Sequence, residues 1–186
     1  MSTSPAFRFD AARHEYVDEH GVVLPSITQM LARAGLVDDT WMTDESRIRG
    51  TRVHEHSAHF DMGALDIETV DPDYRGWVLA YIAAMGILQP KWTAIEEALI
   101  HPTLRYGGRP DRVGTLQKRH IVLDLKSGAP TKAHPIQLAL QAILVSASHP
   151  LPAEHWGRYA LYLTPRGRFR LEEHRDRRDF DEARRI

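Results

Sequence analysis

Two aspartates and a lysine carry the densest chemistry in this 186-residue chain. Asp111 closes Gly108-Arg109-Pro110-Asp111, and Asp124 and Lys126 lie in Ile121-Val122-Leu123-Asp124-Leu125-Lys126-Ser127-Gly128. Side chains of a strand alternate faces, so Ile121, Leu123 and Leu125 point one way while Val122, Asp124 and Lys126 point the other. Asp111 is expected at the start of the neighbouring strand, where its carboxylate can meet that of Asp124 across a hairpin. Two carboxylates converging beside a lysine suit a hard divalent cation, Mg²⁺ or Mn²⁺, which takes oxygen ligands and keeps several waters. The lysine can orient or deprotonate an attacking water and offset charge building on a phosphate. An Asp-x-Lys triplet alone usually marks a solvated strand face. This one ends an apolar strand, pairs with a Pro-Asp at the preceding strand, and leads into Ser-Gly and a helix.

The elements that must position these residues follow from periodicity and turn chemistry. Phe7 to Phe9, Tyr16-Val17 and Val22 to Leu24 read as short strands. Ser26-Ile27-Thr28-Gln29 fits a capping box opening a helix that Gly35 can end. Further helices are expected from about Asp44 past His59 and from Asp73 to Met85, where Tyr74, Trp77, Val78, Tyr81 and Ile82 form an apolar face. After Pro90 the period changes: Trp92 to Ile100, Arg109 to Leu116 and His120 to Lys126 read as strands, the last two joined by the Gln117-Lys118-Arg119 turn. Ala133 to Ser146 reads as a helix, and Tyr159 to Leu163 with Arg168 to Leu171 as a hairpin about Pro165-Arg166-Gly167. The order predicts one α/β domain over residues 1–186, a central mixed β-sheet flanked by helices. Within it, residues 1–40 hold N-terminal strands and a helix, 41–175 the core, and 176–186 a charged terminal helix.

Composition narrows the chemistry. With no cysteine, disulfides, thiolate zinc sites, cysteine nucleophiles and cysteine-held iron–sulfur clusters are excluded. The N-terminus lacks an apolar core behind a basic start and no run is long enough to span a bilayer, so a soluble protein without membrane attachment is expected. The net charge of −1 conceals an asymmetry: residues 1–100 hold 8 Lys+Arg and 16 Asp+Glu, and residues 101–186 hold 16 and 9. A basic half hints at a nucleic-acid partner, because cationic side chains displace counterions from phosphates. Two oppositely charged segments attracting within one fold would look the same, and charge alone does not choose between them. His54-Glu55-His56 and His59 do not make the His-Glu-x-x-His zinc pattern, since position 58 is Ala.

Five motifs occur in an order that resembles the PD-(D/E)xK nucleases, specifically the RecB-like and lambda-exonuclease-like branch common in phages. Gly50-Thr51-Arg52-Val53-His54 resembles the helical Gly-x-x-x-His element, and Ile95-Glu96 the acidic strand motif. Tyr106-Gly107-Gly108-Arg109-Pro110-Asp111 resembles Gly-x-x-Asp, Asp124-Leu125-Lys126-Ser127-Gly128 the Asp-x-Lys-Thr-Gly motif, and Gln137-Leu138-Ala139-Leu140-Gln141 the Gln-x-x-x-Tyr helix. The likeness runs from about Tyr16 onward. Ser127 stands where the family has threonine and Gln141 where it has tyrosine.

The resemblance implies a restriction-endonuclease-like core and a Mg²⁺- or Mn²⁺-dependent deoxyribonuclease. Asp111 and Asp124 would bind the metal with the Leu125 carbonyl, Glu96 would complete the site, Lys126 would position or activate water, and His54 would approach the metal. Strand alternation leaves Glu96 and Glu97 open as the ligand; family spacing favours Glu96. Gln137 would hold the DNA backbone or the active-site geometry. Arg105, Arg109, Arg112, Ser127 and Lys132 surround the centre in sequence as candidate DNA contacts, and Arg holds phosphate oxygens bidentately. An exonuclease on linear DNA ends in recombination or repair is the nearest reading. The alternatives are a RecB-like endonuclease on branched or single-stranded DNA and a non-catalytic DNA-binding recombination accessory module. Expected partners are DNA, a second copy of the chain and a single-strand annealing protein, in a bacterial or phage-infected host cytoplasm.

Overall fold

The structure is a computed structural model and describes residues 7–13, 15–37 and 43–186. Trp41 and the expected boundary between residues 40 and 41 lie outside the described residues. Three short antiparallel strands, β1 (Arg8–Asp10), β2 (Glu15–Val17) and β3 (Val23–Leu24), precede α1 (Ile27–Arg33). The capping box forms: the Gln29 amide donates to Ser26 Oγ, and the Ser26 amide donates to Gln29 Oε1. Thr43 caps α2 (Asp44–Asp61), and Asp71 with Pro72 in the first turn starts α3 (Pro72–Leu88). Gln89 ends α3 in the left-handed region, immediately before Pro90.

The remaining elements are β4 (Lys91–Ile95), β5 (Leu99–His101), β6 (Tyr106–Gly108), β7 (Arg112–Leu116), β8 (Arg119–Lys126), α4 (Ala133–Ser146), β9 (Gly157–Leu163), β10 (Phe169–Glu173) and α5 (Arg178–Ala183). They make an α/β fold on a mixed five-stranded sheet of order β10-β9-β8-β7-β4, in which only β8 and β9 run parallel, joined through α4. Gln117 and Lys118 both have positive φ, which makes the two-residue turn between β7 and β8.

Alternation along β8 divides the core into two layers. Ile121, Leu123 and Leu125 pack with Val53 of α2 and with Ala80, Tyr81 and Ala84 of α3. Val122 faces the other way, against Ile136, Leu140 and Leu144 of α4. Burying each such aliphatic side chain contributes about 1.5–3 kcal/mol. A one-residue slip would turn all three inward residues to the wrong layer and carry Asp124 with them, so the packing holds the register.

One expected strand is broken and another starts late. The segment from Trp92 to Ile100 is not continuous: Glu96 has a φ of +48° and separates β4 in the central sheet from β5, which pairs with β6 in a two-stranded sheet. Likewise Arg109 to Asp111 lie between β6 and β7 rather than within a strand. The reason is topological, because β4 must bond β7 while β5 bonds β6, and the chain leaves one sheet for the other at both places. The breaks face one another, and the Glu96 amide donates to the Asp111 carbonyl at 3.0 Å.

The Tyr106-Gly107-Gly108 run joins this sheet pair to the N-terminal strands. The Gly107 amide donates to the Pro25 carbonyl at 2.9 Å, and a Cβ on Gly107 would lie 2.1 Å from the Tyr16 ring. The ring cannot yield easily, since Tyr16 is 1% exposed. Gly107→Ala is therefore expected to cost about 1–3 kcal/mol by overpacking, read as a lower urea midpoint at unchanged m-value. A stability equal to wild type would show that Tyr16 moves aside freely.

Candidate metal centre

The two opposed breaks and the middle of α2 bring three side chains together. Ligand atoms of His54, Glu96 and Asp111 lie within 4.8 Å of one another, a group that could hold a metal ion. His54 Nδ1 is 3.3 Å from Asp111 Oδ1 and 3.7 Å from Glu96 Oε1. The left-handed turn at Glu96 aims its side chain at the group, so Glu96 rather than Glu97 reaches it. Asp111 Oδ2 accepts from the Leu125 amide at 2.6 Å, which fixes the carboxylate against the end of β8. That amide is free for Asp111 because β7 pairing stops at Arg112, opposite Leu123.

Asp124 lies next to this group, close enough for its charge to act on His54. It does not belong to the three-residue group. Its Oδ1 accepts from Gln137 Nε2 at 3.2 Å and Gln141 Nε2 at 2.9 Å, and its Oδ2 forms a close ion pair with Lys126. Lys126 Nζ also donates to Gln137 Oε1 at 3.0 Å. Asp124 and Lys126 thus share the α4 face, as alternation requires, but the buried carboxylate is occupied by α4 amides and by its own lysine. Leu125 meets Asp111 through its amide; nothing here brings its carbonyl to the group.

Charges on these residues are mutually adjusted. Burial opposes protonation of His54, yet the Asp111 and Glu96 carboxylates outweigh it and raise its pKa to about 10. Burial raises Glu96, but the adjacent His54 and the charges of Arg109 and Arg112 bring it down to about 2. Asp124 is held below the usual carboxylate range: burial pushes it up, and Lys126 and Gln141 more than compensate. Glu96 Oε1 is buried with His54 Nδ1 at 3.7 Å and Arg112 Nη1 at 3.8 Å, and among the described residues no donor comes within hydrogen-bond distance, so a cation would complete it. The donor set of two carboxylates and one imidazole, which gives up its proton on binding, could hold a divalent cation.

The remaining expected residues divide. Arg109 pairs with Glu96 and lines the same cavity of about 460 Å³ as His54, Asp111, Gln137 and Gln141. Arg112, expected to contact DNA, has no exposed side chain: it is fixed to Asp61 and Tyr81 and donates to the Asp111 carbonyl at 2.7 Å. It is a buried strut under the site. Arg105 lies between β6 and its partner strand and pairs with Asp18 beside a separate cavity containing His20 and His101. Lys132 is exposed at the start of α4, and Ser127 lines a second cavity that borders His54. Gln141 and Asp61 were not anticipated as site supports. The i, i+4 spacing of Gln137 and Gln141 on one helix face was the available signal for the first; none marked Asp61.

Two measurements check this electrostatic arrangement. Saturating Mn²⁺ at a hundredfold excess over Kd is expected to stabilise the protein by about 2.7 kcal/mol, seen as a raised Tm that Glu96→Gln removes; an unchanged Tm would argue against a cation there. The second concerns His134, whose Nδ1 lies 2.9 Å from the Tyr162 hydroxyl. Burial, then Lys126, lower its pKa from 6.5 to about 4. The unfolded chain takes up that proton first, so stability is full above about pH 6.5 and falls as pH drops towards 4. His54, with its raised pKa, contributes fully below 6.5 and loses its contribution only as pH rises towards 10, so it is flat in that window. Melting curves should show a Tm decline from pH 7 to 4.5 that His134→Gln reduces, and an identical decline in the variant would refute the assignment.

Comparison with protein-family models and with curated proteins finds no match for the chain. Among the described residues no helix is long and apolar enough to cross a membrane.

Proposed function

We propose that the protein is a metal-dependent deoxyribonuclease with a restriction-endonuclease-like core, hydrolysing phosphodiester bonds at linear DNA ends in recombination or repair. The observation that carries this reading is the meeting of His54, Glu96 and Asp111 from three separate elements, immediately beside the Asp124–Lys126 pair at the end of β8. These are the motifs whose order in the sequence resembles the PD-(D/E)xK nucleases.

A divalent cation held by His54, Glu96 and Asp111 would supply Lewis acidity and an acidified water ligand. The chain's own residues do the rest. Asp111 is braced by the Leu125 amide and Glu96 by Arg109, so the ligands stand preorganised. Lys126 is held by Asp124 and Gln137 with its side chain 18% exposed, placed to orient a water and to meet negative charge developing on a phosphate. Gln137 and Gln141 keep Asp124 in place for Lys126, so the departure from tyrosine at position 141 supplies a hydrogen-bond donor to the same carboxylate.

The test incubates the purified protein with end-labelled linear duplex and with closed circular DNA, in Mg²⁺, Mn²⁺ or EDTA. Cleavage of the linear substrate alone, abolished by EDTA, is the expected result. Cleavage of both forms moves the assignment to an endonuclease, and no metal-dependent cleavage of any DNA rejects the nuclease reading.

A further inference from the structure

Across His54 from the carboxylates lies a second cavity of about 530 Å³, between α2 and the turn that follows β8. The two cavities share His54 and differ in charge. The first is lined by Glu55, Glu96 and Asp111 together with Arg109; among the described residues lining the second there is no carboxylate, and Arg49 and Lys126 join the shared His54 as its cationic groups. Ser46, Ser127 and Thr131 add hydroxyl groups to the same wall.

Arg49 is the unusual residue here. Its guanidinium carbon lies 5.4 Å from the centre of the Trp77 ring, the stacking that holds an arginine in a set plane. Its Nε is buried without a hydrogen-bond partner among the described residues, and so is the indole Nε1 of Trp77. Arg49 is half-buried, and the two fully buried arginines among the described residues are paired, Arg112 with Asp61 and Arg158 with Asp179. A guanidinium that is oriented, partly desolvated and left unpaired beside a second cation costs free energy unless an anion completes it. Arg49 and His54 both lie on α2 and both line this cavity.

We propose that this carboxylate-free cavity is the subsite for the phosphodiester adjacent to the one being cleaved, with Arg49 as its phosphate ligand. The inference rests on the nuclease reading and adds to it a direction: the strand enters the carboxylate group from the Arg49 side, past Lys126. Trp77 is a positioning residue that holds the guanidinium in plane.

The test measures binding of a fluorescent duplex oligonucleotide by anisotropy in EDTA, where cleavage does not intervene, across 50–200 mM salt. Arg49→Ala is expected to weaken binding roughly tenfold and to reduce the salt slope by about one, with Arg49→Lys intermediate. Arg47→Ala, which alters an exposed arginine of the same helix paired with Asp44, should change binding less than twofold. A series of probes, each with one backbone phosphate replaced by a neutral methylphosphonate, identifies the contact: at one position wild type and Arg49→Ala should bind equally. Circular dichroism melts confirm that each variant is folded, and the methylphosphonate series on the wild-type protein does not depend on any variant. Wild-type binding that Arg49→Ala leaves unchanged, or an Arg49 effect equal at every methylphosphonate position, overturns the subsite alone. Failure of the wild type to bind any DNA overturns the nuclease reading and the subsite together.

Discussion

Asp111→Asn is expected to lower metal-dependent DNA cleavage by a factor on the order of 10³ while leaving the fold intact. Losses on the order of 10²–10⁴ are typical when a positioned acid–base or charge-stabilising group is removed, and Asp111 serves the site in several ways at once. Its Oδ2 fixes the Leu125 amide, its Oδ1 faces His54, and its carbonyl accepts from both Glu96 and Arg112. Asparagine keeps the size, the backbone carbonyl and an acceptor oxygen for Leu125, so it removes the charge and little else. The companion variant Lys126→Ala should lower turnover by a similar factor with less effect on metal-induced stabilisation, because Lys126 faces Asp124 and Gln137 and lies outside the metal-ligand group. The two variants separate holding a cation from using it. Cleavage by Asp111→Asn at the wild-type rate, in a protein melting at the wild-type temperature, would remove Asp111 from the site.

The second large effect is on stability. Arg112→Ala should destabilise the protein by about 3–5 kcal/mol, the usual result of removing one partner of a buried ion pair. At roughly 2–4 °C per kcal/mol for a domain of this size, the melting temperature would fall by on the order of 10 °C. Arg112 is 0% exposed and Asp61 has a 4% exposed side chain, so truncation strands a carboxylate in the core layer beside Tyr81. The double variant Asp61→Leu/Arg112→Met removes both charges and should recover most of the loss, since two apolar groups of similar size tolerate burial better than one unpaired ion. Urea unfolding of wild type, Asp61→Leu, Arg112→Met and the double variant closes a cycle and gives the coupling directly. A single-variant loss below about 1 kcal/mol would mean that Asp61 finds water or another partner. Arg112 also binds the Asp111 carbonyl and lies 3.8 Å from Glu96, so even a folded variant should bind metal less well.

Residues whose role depends on one element could be read in order along the chain. The α4 limits, the Ser26–Gln29 capping box, the β7–β8 turn and the common face of Asp124 and Lys126 follow from local periodicity and backbone chemistry, which act over three to five residues and leave their mark in the sequence. The same local logic misjudged the segments on either side of the site. Trp92 to Ile100 and Arg109 to Leu116 are apolar enough for unbroken strands, yet one breaks and the other starts late where two sheets compete for the same chain, and it is the break at Glu96 that selects this glutamate over Glu97.

Long-range pairing accounts for the rest. Composition showed arginines clustered near the Asp-x-Lys run but not which ones face outward: Arg112 is buried against Asp61, 51 residues away, whereas Arg49, in the acidic half, lies over Trp77 with no carboxylate partner among the described residues. Likewise the sequence brings Asp124 next to Lys126, but only packing of α4 on β8 gives that carboxylate to Gln137 and Gln141 and leaves His54, Glu96 and Asp111 as the group that could hold a cation. Charge and residue type thus belong to the sequence, while desolvation and pairing arise when distant segments exclude water together, and those two effects determine what each ionised group does.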